Sequence, residues 1–315
     1  MVFAAGLILL PLAIVHALTV SPVMFEFDIA KGASKQDKIR LWNETNEPQT
    51  YEVVVRNFVP RGEEGEQEYI EEEAPTGLAS WVAVDRQSVT LAPDALTELS
   101  FAVRVPDAAE PGGHYAAIFL TNGPARGSGS VGVSSRIGVL LLVNVPGEIR
   151  EEAQLESFRL LDDDRAITRL PANFELRLRN LGSTHLRPQG SVIIRNLIGW
   201  EVARLPVNPK ESAVLPGSVR RINPVWDKTD DGPPSGGFWT ETKNEWRNFA
   251  LGRYTATVDA SYGSKNAKLQ KQTISFWVFP WHLAVVAGVV AAGLFLLARL
   301  RHALMVRAAL KRDAE

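Results

Sequence analysis

The sequence predicts an all-β exported part, built as two tandem β-sandwiches, followed by one membrane-crossing helix. Three observations point there. Short runs with apolar residues at every second position recur through most of the chain and are separated by turn signals. Helical periodicity is almost missing before residue 276. The stretch Phe276–Ala298 carries no charge, and basic residues follow it at once.

That last stretch, FWVFPWHLAVVAGVVAAGLFLLA, holds His282 as its one clearly polar side chain. A span of this length suits a hydrocarbon core about 30 Å thick, and in lipid a single segment can satisfy its own backbone only as a helix. Trp277, Phe279 and Trp281 mark one boundary, where amphipathic rings prefer the headgroup level. Arg299, Arg301, Arg307, Lys311 and Arg312 mark the other. By the positive-inside rule, residues 299–315 form a cytoplasmic tail and the preceding domains lie outside. Met1–Ala17 agrees with export, being an apolar run that ends in small residues at Val15 and Ala17. It reads as a cleaved secretory signal peptide.

Between these ends, 18–275 has room for two domains of ordinary size. This part carries 29 basic and 34 acidic residues, which argues against nucleic-acid binding. No cysteine is present, so disulfides and thiolate metal sites are excluded, and core burial must hold the domains. Strand patterns fall at Phe25–Asp28, Asp37–Trp42, Tyr51–Arg56, Ser88–Leu91, Glu98–Val105 and Tyr115–Leu120. Arg136–Val145 is nearly all apolar, as a central strand would be. Lys31-Gly32, Asn43–Pro48, Ala92-Pro93-Asp94 and Pro111-Gly112-Gly113 supply the turns. Such spacing indicates antiparallel, immunoglobulin-like sandwiches. Pro146-Gly147 marks the boundary between the first (18–147) and the second (148–275).

The second half repeats landmarks of the first. Asn43 and Asn180 each close a strand, and an Asn side chain can bond nearby backbone and start a turn. Leu91-Ala92-Pro93 matches Leu215-Pro216-Gly217; Pro fixes φ there and cannot donate to a ladder. Gly113-His114-Tyr115 matches Gly252-Arg253-Tyr254, and Tyr115 and Tyr254 read as tyrosine corners whose hydroxyls tie a loop to the sandwich.

The first strand SPVMFEF, the turn NETNEPQTYEV, Ala79–Val84, LAPDALTELSFAVRVP and EPGGHYAAIF together resemble the peptidoglycan-binding domain of the WxL-interacting surface proteins of Gram-positive bacteria. That family continues with a second sandwich, one membrane helix and a short basic tail, the order found here. The resemblance is motif-specific over Ser21–Val145. It implies wall binding by the first domain and a protein partner for the second.

No catalytic set is recognisable, and a non-enzyme without cofactor or metal is expected. Gly127–Gly132 matches G-x-G-x-x-G but is followed by a strand, where a dinucleotide site needs a helix. Glu63–Glu73, with seven Glu, reads as a solvated mobile loop, and Asp162-Asp163-Asp164 as a turn. Binding is expected at the insertion 223–249, where Trp226, Phe238, Trp239, Trp246 and Phe249 sit among Pro and Gly. Loops seldom hold so many large aromatics without burying them somewhere: as a lid on their own sandwich, at a partner or on the outer leaflet. Ala284, Gly288 and Ala292 give the span a small-residue face suited to helix packing or homodimerisation. The expected protein is a single-pass bacterial surface scaffold that engages peptidoglycan, another wall polymer or an exported protein. The alternative is a membrane-tethered assembly chaperone that works by β-strand addition.

Overall fold

A computed structural model describes residues 18–71, 76–122, 135–161, 165–228 and 236–312. The signal peptide expected at 1–17, Gly127–Gly132 and Asp162-Asp163-Asp164 lie outside the described residues. Two compact units divide the chain. The first runs to Arg150 and the second from Glu151, in all but residues 62–65 and 182–184.

The first unit contains β1 (Leu18–Ser21), β2 (Met24–Asp28), β3 (Ser34–Asn43), β4 (Gln49–Arg61), β5 (Glu66–Tyr69), α1 (Gly77–Trp81), β6 (Val82–Val84), β7 (Ser88–Leu91), β8 (Leu96–Arg104), β9 (Gly112–Asn122) and β10 (Ser135–Val145). One sheet has the order β1-β3-β8-β6 and the other β2-β10-β9-β4-β5, with β7 on β4. Alternation decides which side chains meet between the sheets. Ile39, Leu41, Leu99 and Val103 come from one face, and Ile118, Leu120, Val139 and Leu141 from the other; all are fully buried. Within the acidic segment, Glu66–Tyr69 forms a strand where its charge suggests a loop, while Glu72 and Glu73 lie outside the described residues. Glu66–Tyr69 pairs with β4, because Tyr69 packs edge-on against Phe58 and Phe119 while the intervening Glu68 stays outside.

The second unit contains β11 (Ala153–Leu160), β12 (Ala166–Ile167), β13 (Ala172–Asn180), β14 (Gln189–Asn196), β15 (Glu201–Pro206), β16 (Val219–Ile222), β17 (Val225–Trp226), α2 (Phe238–Arg247), β18 (Gly252–Tyr262), β19 (Ala267–Lys268), β20 (Thr273–Val278) and α3 (Trp281–Arg312). Its sheets run β11-β13-β16 and β12-β20-β18-β14-β15, around Phe174, Leu176, Ile194, Ala256 and Phe276. The expected repeat holds in the topology. In both units the first strand joins one sheet, and the next pairs in parallel with the last strand of the other.

Two of the three landmarks are joined physically. Asn43 is fully buried and donates through Nδ2 to the carbonyls of Glu47 (2.9 Å) and Ala92 (3.0 Å), with a longer approach to Leu91 (3.3 Å). Asn180, equally buried, donates to Val214 (2.8 Å). Each Asn thus ties a strand end to the turn carrying Pro93 or Pro216. Those turns match as well. Ala95 bonds back to Ala92 and Ser218 to Leu215, and the third residues, Asp94 and Gly217, have φ of 53° and 73°. Pro second and a positive φ third is type II geometry.

The third landmark slips by one residue. Gly112 opposes Val145 and Gly252 opposes Val278, so Tyr254 corresponds to His114, not to Tyr115. A shift of one residue moves a side chain to the other face of a sheet. Tyr254 accordingly packs inside, and its hydroxyl meets the amide (3.3 Å) and carbonyl (3.4 Å) of Leu251, as a corner requires. Tyr115 packs on the outer face against Phe58, its hydroxyl so near Gly113 that a Cβ there would lie 2.0 Å away.

The long helix starts later than its composition indicates. Phe276 and Val278 are buried in β20 and hydrogen-bonded to β18, which holds Phe276–Val278 in the sheet, and the helix begins after Pro280. Its segment Trp281–Met305 contains an 18-residue window of mean hydropathy 2.3, none of it buried. At 1.5 Å per residue it is about 37 Å long, enough to cross a bilayer.

Candidate functional site

The aromatic insertion folds where a loop was expected. After Gly237, residues Phe238–Arg247 form α2, with Glu241 in the first turn and Arg247 in the last, matching the helix dipole at both ends. Trp226 precedes this helix and is not a surface anchor. It is 1% exposed and packs against Tyr254 (5.0 Å between centroids) and Phe276 (6.2 Å), so it belongs to the core. Phe238 touches Trp239, Trp281 and His282. Trp239, Trp246 and Phe249 remain exposed.

Glu245 holds α2 to α3. An acidic residue in a helix's last turn faces the wrong end of its own dipole. Here the carboxylate is directed at the positive end of α3 instead. Its side chain is 0% exposed; Oε1 accepts from His282 Nδ1 at 2.7 Å, and Oε2 from the Leu283 amide at 2.9 Å. The first amides of a helix have no intrahelical partner, so this carboxylate supplies one from another element. The polar residue that interrupts the apolar run is therefore a clamp. Its presence there was the signal, but its partner lies 37 residues away in sequence.

Beside the clamp, Trp239, Trp246, Phe249, Phe279, Leu283 and Val290 line an apolar groove of about 750 Å³ between α2 and α3. Ala284 also lines it, while Gly288 has nothing within 4 Å of where a Cβ would stand. The expected small-residue face is thus divided: its first member meets the α2 groove and its second lies open.

In the first unit the salient feature is a sheet edge. β2 covers β10 only over Leu140–Asn144, and among the described residues no strand pairs with that edge before Leu140. Leu140 donates to Val23 across it (2.9 Å), so by alternation the main-chain groups of Arg136 and Gly138 face the same open side. Arg136 lies flat on Phe119, 3.7 Å from the ring centroid, and pairs with Glu71 at 3.5 Å. The bond that Glu71 accepts from Arg56, with the attraction of both guanidinium groups, holds its carboxyl below the usual range. A cavity of about 530 Å³, lined by Met24, Tyr69, Phe119, Arg136, Gly138 and Leu140, flanks this edge. Among the described residues no group of three or more His, Asp or Glu is arranged to hold a metal ion. His114 bonds the Glu110 carbonyl (2.9 Å) and packs on Trp81.

No family model matches the chain, and no curated protein matches its sequence. Among solved structures, it is similar to one described as a chaperone-tip adhesin complex of CFA/I fimbriae biogenesis (9% identity, 82% of this chain and 98% of that one, TM-score 0.40). It is also similar to the class 5 fimbriae chaperone CfaA (11%, 84% and 100%, TM-score 0.38). A third is the CsuC-CsuE chaperone-tip adhesion subunit complex of Acinetobacter baumannii (11%, 82% and 98%, TM-score 0.37). With TM-scores below 0.5 these likenesses carry no argument about function, which rests on the residues.

Proposed function

We propose that this chain is a single-pass membrane protein that holds two immunoglobulin-like sandwiches on the outer side and binds an extended segment of another exported protein by strand addition. The observation that carries this is the edge of β10 before Leu140, which no strand pairs with among the described residues. Arg136 and Gly138 offer main-chain donors and acceptors there, next to a cavity that can take alternate side chains. Gly138 presents no side chain to obstruct an incoming strand, and Arg136 is drawn aside onto Phe119. The basic residues Arg299, Arg301, Arg307, Lys311 and Arg312, in the C-terminal part of α3, support the orientation.

The test uses the full chain in lipid nanodiscs and extended peptides of about seven residues with apolar side chains at alternate positions. Binding should slow hydrogen exchange at Gly138. Arg136→Pro removes an edge donor that does not serve the β9 ladder and should weaken binding about tenfold or more. Arg136→Ala keeps the donor and should bind nearly as the parent does. Binding indifferent to Arg136→Pro would refute strand addition. Retention on isolated peptidoglycan in high salt, also unchanged by Arg136→Pro, would favour the wall-binding role implied by the WxL-interacting resemblance.

A further inference from the structure

The turn between β14 and β15 reads Leu197-Ile198-Gly199-Trp200. It is a tight tip. The Asn196 amide donates to the Trp200 carbonyl (3.0 Å), the Trp200 amide donates to Asn196 Oδ1 (3.0 Å), and Gly199 takes φ of 83°. Turn tips are ordinarily polar, yet here three of four residues are large and apolar. Ile198 and Trp200 are 66% and 71% exposed.

Strand register places this tip. Asn196 opposes Tyr254, Tyr254 opposes Phe276, and two residues further Gly252 opposes Val278. The Leu197–Trp200 tip therefore leaves the sheet at the end where the chain passes through Phe279-Pro280 into α3. Trp239 and Trp246, 74% and 73% exposed, belong to α2, whose Glu245 is clamped to the first turn of the same helix. One end of the second unit thus gathers exposed apolar side chains from the β14–β15 tip and α2 around the start of α3, whose candidate membrane span is Trp281–Met305. Exposed apolar patches of this kind are rare on soluble surfaces unless something covers them, and Trp concentrates at the membrane boundary.

We infer that this end of the second sandwich rests in the bilayer itself: the Leu197–Trp200 tip and the exposed face of α2 enter the headgroup–acyl boundary around α3. The occupant is a lipid surface because the exposed face of α2 is continuous with the apolar face of α3 through the groove that reaches Val290, and the tip leaves the sheet at the same end. Lys243 also lines that groove, and a lysine at such a boundary can reach phosphate while its stem stays on apolar surface. The sandwich is then planted on the membrane in a fixed attitude. The inference rests on α3 crossing the membrane, part of the function proposed above.

The chain has no cysteine, so single-cysteine spin labels can be placed at will. Four full-chain variants in phosphatidylcholine–phosphatidylglycerol vesicles suffice: V289C in α3, I198C at the tip, W246C on α2, and K268C. Lys268 pairs with Ser261, nine residues along β18 from Gly252 and so about 30 Å from the proposed contact. Collision with lipid-soluble oxygen is compared with collision with a water-soluble nickel chelate. Labels at 289, 198 and 246 should favour oxygen, and the label at 268 nickel. If 198 and 246 behave like 268 while 289 favours oxygen, the docked end is overturned and the membrane anchor survives. If 289 favours nickel, both fall. If 198 and 246 are shielded from both reagents, protein covers this surface, whether a second copy or a partner, and the lipid assignment is overturned.

Discussion

Replacing Glu245 tests whether α2 is fastened to the long helix by the clamp or merely rests there. The carboxylate is fully buried and receives the His282 imidazole N–H and the Leu283 amide. Glu245→Ala leaves the buried His282 donor and the part-buried Leu283 amide without this partner. An unmet buried polar group costs about 1–3 kcal/mol, so the pair gives roughly 2–6 kcal/mol. At 1.4 kcal/mol per decade, α2 amides in the detergent-solubilised full chain should exchange about 30-fold to 20,000-fold faster. β3 and β8 in the first unit serve as the internal reference. His282→Ala should also accelerate α2, because the carboxylate then keeps only backbone donors. In the double variant the cost should fall short of the sum by about 1–3 kcal/mol, the mark of a direct pair. Additivity within about 0.5 kcal/mol, or a change in α2 exchange under about threefold, would refute the clamp.

Asn43→Ala should destabilise the first sandwich by about 2–4 kcal/mol and Asn180→Ala the second by about 1–3 kcal/mol, since each strips buried carbonyls of a donor. Exchange should quicken only in the unit altered, which checks that the two landmarks act separately. Trp226→Ala should cost about 3–5 kcal/mol, whereas Trp246→Ala in detergent should stay within about 0.5 kcal/mol, because only the first empties a core. Thermal melts of the two variants separate these outcomes. Burial pushes the Tyr51 phenol above its usual value. A group with a raised folded pKa contributes stability below its unfolded value, about 10, and loses it as pH rises beyond. The first sandwich should weaken above that pH, and Tyr51→Phe should reduce the loss, as melts across the alkaline range would show.

What depends on near neighbours was legible in the residue pattern alone. Period-2 alternation named most strands of the first unit, Pro93 and Pro216 marked two matching turns, and an uncharged run with basic residues after it named the helix. Tertiary structure decided what depends on distant packing. The pairing of Gly112 with Val145 and of Gly252 with Val278 sent Tyr254 inward and Tyr115 outward, although both follow a Gly by two residues. Main-chain pairing with β18 kept Phe276–Val278 in a strand although their composition suits a membrane helix as well. The core claimed Trp226, while Trp239 and Trp246 in the same insertion stayed outside. An acidic residue in an aromatic helix became the partner of the one polar residue in the apolar run. A side chain's hydrophobicity is local, but the face it reaches is set by strand register and by what packs opposite, and that is fixed only when remote segments meet.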